Sequence, residues 1–151
     1  MLSNNSFLIY ALIMLLTGLG IPVMAALNAG LGVKLQNPAM ATTILFIVAA
    51  GLSAIYLFVS GNVPKSIPSD IPGYQYLGGA FVVFYVLSIT WIAPRFGIGN
   101  AVSFVLLGQL ISMALIDHFK LLGAPLNPIN ATRFLGLVFM VIGVFLAVRR
   151  G

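Results

Sequence analysis

The stretch GQLISMALIDHFK, Gly108 to Lys120, holds the residues best suited to chemistry in a strongly apolar chain. Gln109 is an amide inside an apolar run, and Asp117 and His118 follow it, with Lys120 just behind. Such a set could serve acid–base catalysis, bind a solute in transit, or mark where a greasy helix meets water. The chain has no Glu, and Asp70 and Asp117 are its only carboxylates. Asp70 falls in a loop, so catalysis by paired carboxylates within one chain is excluded. Asp117 and His118 are neighbours, and neighbours on a helix point about 100° apart. The Asp is therefore badly placed to orient that His in a Ser-His-Asp arrangement. His118 is the only His and there is no Cys, so zinc and thiolate chemistry lack their ligands. No Gly-rich phosphate loop occurs. The sequence predicts a protein that is not an enzyme and takes no cofactor or metal.

The elements that carry these residues follow from composition. The 151 residues are 61% hydrophobic and only 6% charged, with a mean hydropathy of +1.14. Soluble domains carry about 25% charged residues, so the solvent here must be lipid. Lys+Arg 7 against Asp+Glu 2 is a basic balance. The basic residues are scattered singly rather than clustered on one face, which argues against nucleic acid as a partner. A helix needs about 20 apolar residues to cross the hydrocarbon core. Five runs qualify: 7–27 (interrupted at Pro22), 38–60, 73–92, 98–119 and 134–148. Backbone groups in lipid must be paired internally, which makes these runs helices. The sequence thus predicts an all-α membrane protein forming a single transmembrane domain over 1–151.

The connections carry turn chemistry. Gly61–Gly73 and Leu121–Arg133 are rich in Pro and Gly, and Gly32–Pro38 and Ala93–Asn100 read as short hairpins. Asn100 is a candidate N-cap, and Asn127 before Pro128, or Asn130, can start the last helix. No Lys or Arg precedes Phe7, which argues against a secretory signal. An odd number of spans puts the two ends on opposite sides. Lys65, Lys120 and Arg133 then share the side of the N-terminus, and Lys34, Arg95, Arg149 and Arg150 share the other. Orientation follows Lys/Arg asymmetry in short loops, and here there is almost none.

Uncharged polar residues inside the spans are the remaining candidates. Asn28 follows the Pro22 break, Thr42, Thr43 and Ser53 lie in the second run, Tyr85 and Ser88 in the third, and Ser103, Gln109 and Ser112 in the fourth. Polar side chains at membrane depth face the bundle or a water-filled cavity. Ser and Thr can instead bond back to their own helix. An amide cannot satisfy all its groups that way, so Asn28 and Gln109 either glue helices together or face a substrate. Asn28, Tyr85, Ser88, Gln109 and Ser112 form the candidate substrate-binding set. Gly136, Met140, Gly143 and Ala147 make a stripe for close helix approach. Gly78, Phe81, Tyr85 and Ser88 make a second, which could also line a pocket. Asp117 sits at a helix C-terminus, where the helix dipole opposes a carboxylate, so it calls for a cation: Lys120 or Arg133. Asp117, His118 and Arg133 are thus candidates for pinning the loop or for gating.

The segments GIPVMAALNAGLG (Gly20–Gly32), YLGGAFVVFYVLSITWIAPRFGIGNAVSFVLLGQLISMALIDHF (Tyr76–Phe119) and RFLGLVFMVIGVFLAV (Arg133–Val148) resemble the YdcZ family. That is a bacterial branch of the drug/metabolite transporter superfamily. The resemblance covers nearly the whole chain and is most specific in the hairpin carrying G-Q and D-H-F. It implies an inner-membrane, multi-pass protein of five helices, half of a ten-helix inverted-repeat transporter. It also implies a small-molecule substrate and a homodimer, for which an antiparallel arrangement is open. Asn28, Gln109, Asp117 and His118 match positions of the family pattern. Lys120 departs from it, since Gly is expected there. The chain also lacks the Glu that the small multidrug branch carries in its first helix, which removes that branch's route for proton-coupled export of lipophilic cations.

Overall fold

The computed structural model describes residues 4–61, 63–64, 66 and 68–148, with side chains from residue 7 onward. Lys65, Arg149 and Arg150 lie outside the described residues. Among the described residues there are five α-helices: α1 (Asn4–Leu35), α2 (Pro38–Val59), α3 (Gly78–Phe96), α4 (Ile98–Phe119) and α5 (Ala131–Val148). Among the described residues there is no strand. All five helices are long and apolar enough to cross a membrane. The chain divides into two units, Met1–Arg95 and Phe96–Gly151.

In the first unit, α1 runs unbroken for 32 residues with Pro22 inside it. The proline ring removes the N–H that would bond the carbonyl of Gly18. The helix continues because, in lipid, the backbone on either side has only its own helix to bond to. This corrects the expected first span, 7–27, and the expected hairpin at Gly32–Pro38. Only Gln36 and Asn37 separate α1 from α2. Gln36 takes φ 52, its N–H donates to the Val33 carbonyl at 3.1 Å, and the Asn37 N–H donates to that of Gly32 at 3.1 Å. This is a Schellman ending with glutamine in the left-handed position that glycine usually fills. Asn37 then caps α2, its side chain accepting from the Met40 N–H at 3.0 Å, with Pro38 in the first turn.

A 3₁₀ turn, Gly73–Leu77, leads into α3, which ends four residues later than the expected 92 and holds Pro94 in its last turn. The expected hairpin at Ala93–Asn100 reduces to Gly97 at φ 90, a backbone conformation open to glycine. Asn100 is therefore not the N-cap. Gly97 takes that position, and the Asn100 side chain donates to the Phe96 carbonyl at 2.8 Å.

Among the described residues burial in the first unit falls mostly on small residues: Ala25, Asn28, Ala29 and Gly32 of α1, Ala41 and Thr42 of α2, and Val86, Thr90 and Ala93 of α3, with Ile89 the larger exception. Small side chains let backbones approach closely, which is how membrane helices gain contact without a hydrophobic driving force. Phe7–Leu16 and Leu52–Val59 are exposed, as apolar surface in contact with lipid requires.

In the second unit, α4 packs on α5 through Leu110 and Ala114, with Val144 buried on α5. An apolar groove of about 340 Å³ runs there, lined by residues such as Leu107, Leu110, Ala114, Phe134 and Val141. Asn130 opens α5, its side chain accepting from the Arg133 N–H at 2.8 Å. The helix therefore begins at Ala131 rather than at the expected 134.

Candidate functional site

Asn28 and Thr90 are joined directly. The Asn28 Nδ2–H donates to Thr90 Oγ1 at 2.6 Å, and the Thr90 hydroxyl donates to the Val86 carbonyl at 2.7 Å. Both residues are buried. The bond ties α1 to α3 in the first unit and removes Thr90's donor from any other use. It needs the backbones close, and Gly32 allows that. A Cβ there would meet Thr90 Cγ2 at 2.9 Å, closer than carbon atoms pack. Thr90 was missed as a candidate, although it shares the i, i+3, i+4, i+7 row of Val86, Ile89 and Ala93. That row is buried instead of the stripe that includes Gly78 and Phe81, both of which are exposed.

Tyr85 and Ser88 are half-buried on the flank of the same helix. Among the described residues, Tyr85 Oη and Thr42 Oγ1 are buried without a hydrogen-bond partner. Buried hydroxyls nearly always find one, so each has room in its chemistry for water or a solute. Ser88 lines a cleft of about 440 Å³ with Asn37, Pro38, Phe84 and Trp91. Thr43, by contrast, bonds back to the Ala39 carbonyl at 3.0 Å.

In the second unit, Gln109 and Ser112 are exposed. They lie near the middle of the 22-residue α4. One step of three residues puts them on neighbouring positions of one face, away from the Leu110–Ala114 contact with α5. The stripe Gly136, Met140, Gly143 and Ala147 is also exposed. Nothing lies within 4 Å of where a side chain would start at Gly136 or Gly143.

At the end of α4, Asp117 pairs with Arg133 rather than Lys120. The same guanidinium donates through Nη1 to the Asn127 carbonyl at 2.7 Å, while the Asn127 N–H donates to the Asp117 carbonyl at 3.0 Å. His118 Nδ1 accepts from the Ile129 N–H at 3.2 Å, which requires the tautomer with its proton on Nε2. Both residues of the ion pair keep 20–25% of their side-chain surface exposed. Arg133 therefore ties both ends of the α4–α5 loop together. Lys120 stands at φ 53 and terminates α4, its N–H donating to the Ile116 carbonyl. That is left-handed backbone, which explains physically why glycine would suit this position.

Asn28 and Thr90 thus meet in one unit, and Asp117 and Arg133 meet in the other, with His118 bonded to Ile129 of the same loop. Among the described residues no cluster of three or more His, Cys, Asp or Glu forms that could hold a metal.

The chain matches no curated protein and no solved structure. Residues 9–146 match the family described as "Putative inner membrane exporter, YdcZ". That family is one of membrane exporters and not of enzymes, and with five membrane-spanning helices it gives a multi-pass inner-membrane protein in contact with lipid. Matched over nearly its whole length, the chain belongs to the YdcZ family of inner-membrane exporters.

Proposed function

We propose that this protein moves a small, polar, uncharged or weakly charged metabolite across the inner membrane by alternating access, working as a homodimer of single-domain chains. The observation that carries this reading is Gln109: a primary amide near mid-span, exposed on the surface of its own chain. In lipid an amide left without partners is strongly unfavourable. A second copy, a water-filled cavity, or both must cover it, and a dimer with a central cavity supplies the two together. The open Gly136–Ala147 stripe offers α5 as the surface where copies approach closely. Asn28, Tyr85 and Ser88 in the first unit, and Ser112 beside Gln109 in the second, would each offer the cargo a neutral hydrogen-bonding group, with Asp117, His118 and Arg133 pinning the α4–α5 loop or acting as a gate.

The Asn28–Thr90 bond favours a second reading, a membrane subunit or assembly factor that transports nothing, because there the amide acts as glue between helices. The two readings part at Gln109. Wild type is screened by thermal shift against a metabolite library, since a bound ligand raises stability by mass action, and hits are tested for flux in liposomes. Gln109→Ala is expected to lose both responses while still inserting and dimerising. Full ligand response in that variant would make Gln109 packing glue, and absence of any flux by wild type would leave the subunit reading.

A further inference from the structure

Trp91 and Arg95 stand one turn apart at the end of α3. The guanidinium carbon lies 5.3 Å from the centroid of the indole, and Nη1–H donates to the Trp91 carbonyl at 3.0 Å. Stacking and one hydrogen bond fix the head group, and most of its five N–H donors remain unused by Trp91. Beside it opens a cleft of about 420 Å³, whose lining includes Gly32, Gln36, Pro38, Thr90, Trp91 and Arg95. Gln36 takes its place on that wall from a left-handed backbone at φ 52. Such conformations persist in non-glycine residues where surrounding structure or function holds them.

The charge of this cleft is uncompensated. Asp70 is the one carboxylate of the first unit. It precedes α3, whereas Arg95 lies near the far end of that 19-residue helix, about 26 Å along its rise. Among the described residues the one ion pair is Arg133–Asp117, in the second unit. Among the described residues no carboxylate pairs with Arg95, which leaves its guanidinium open to an anion from outside the chain. The fork of a guanidinium matches phosphate oxygens two at a time. Trp at a helix end marks the headgroup layer, and basic residues there attract anionic lipid.

We propose that this cleft binds a phosphate-bearing anion, and that the source is the head group of an anionic phospholipid. The site does not depend on the transport reading. Trp91 is the only Trp, so the signal comes from one side chain, which lines this cleft and the Ser88 cleft, and the Arg95 variants tell the two apart. The protein, purified in zwitterionic detergent, is titrated with phosphatidylglycerol, with phosphatidylcholine, and with glycerol 3-phosphate. A saturable change is expected with phosphatidylglycerol and none with phosphatidylcholine. Arg95→Gln is expected to weaken the midpoint about tenfold or more, the loss that follows from removing hydrogen bonds to a charged group. Arg95→Lys is expected to fall between, and Lys120→Gln, which removes a charge elsewhere, to leave the midpoint unchanged. Equal response to both lipids, or an unchanged midpoint in Arg95→Gln, overturns the site. If Arg95→Gln does not fold, an unchanged midpoint in folded Arg95→Lys does the same. Saturation by glycerol 3-phosphate at the phosphatidylglycerol midpoint overturns the lipid source and assigns the cleft to a soluble anion.

Discussion

Lys120 shows how one residue can conflict with the backbone it occupies. It ends α4 at φ 53, and two residues on, Leu122 takes φ 55. A side chain in left-handed backbone is strained by roughly 1–2 kcal/mol, because Cβ crowds the following carbonyl. Glycine has no Cβ, although it is freer in the unfolded chain. Lys120→Gly is accordingly expected to stabilise the protein by about 1 kcal/mol, a rise of about 2–4 °C in Tm for a chain of this size. Differential scanning in detergent checks it. An unchanged or lower Tm would mean that the lysine ammonium contributes as much as the strain removes. Gln36 holds the same kind of backbone at the end of α1, and there the side chain lines a cleft.

At the scale of elements, the α4–α5 connection is held by side chains more than by its own turns. Arg133, in the first turn of α5, reaches both the Asp117 carboxylate and the Asn127 carbonyl. The pair is partly buried, so screening by water is incomplete and the interaction exceeds that of a fully exposed pair. Asp117→Asn keeps a hydrogen-bond acceptor and loses the charge. It is expected to lower stability by about 1 kcal/mol and to leave residual transport. Arg133→Gln is expected to do the same, and the double variant to lose less than the two together, since the residues share one interaction. Loss of transport with unchanged Tm would instead assign the pair to gating.

For the whole molecule, the direction of insertion is the open quantity. Five spans invert the second end relative to the first. By position in the sequence, alternating spans would put Lys65, Lys120 and Arg133 on one side and Lys34, Arg95, Arg149 and Arg150 on the other. So small a bias does not fix orientation. We expect copies to insert both ways and to pair antiparallel, as a single repeat must do to reproduce an inverted-repeat transporter. The chain has no Cys, so a Cys in place of the exposed Ser66, between α2 and α3 (Ser66→Cys), is the only thiol. A membrane-impermeant reagent on intact cells is expected to label part of the population, and the rest only after the membrane is opened. Labelling wholly on one side would sink dual insertion and leave a parallel dimer or an oppositely inserted partner.

The sequence by itself determined the solvent, the helical class and the number of spans. Sixty-one per cent hydrophobic residues with 6% charged ones leave no other option, because lipid forces each apolar run to satisfy its backbone within one helix. It also narrowed Asp117 to two cations, since a carboxylate at a helix C-terminus needs one. Only the tertiary structure decided between them, and it chose Arg133, which stands at the other end of the same loop. Where helices end was decided late too. Runs of apolar residues do not show that Gln36 with Asn37 suffices to separate α1 from α2, or Gly97 to separate α3 from α4, because those breaks depend on backbone dihedrals rather than on hydropathy. The bond between Asn28 and Thr90 spans 62 residues of sequence. Its partners are fixed by the rotation of α3 against α1, which small residues such as Gly32 set through the distance they permit. Spacing along one helix shows which residues share a face, and only packing decides which face meets which.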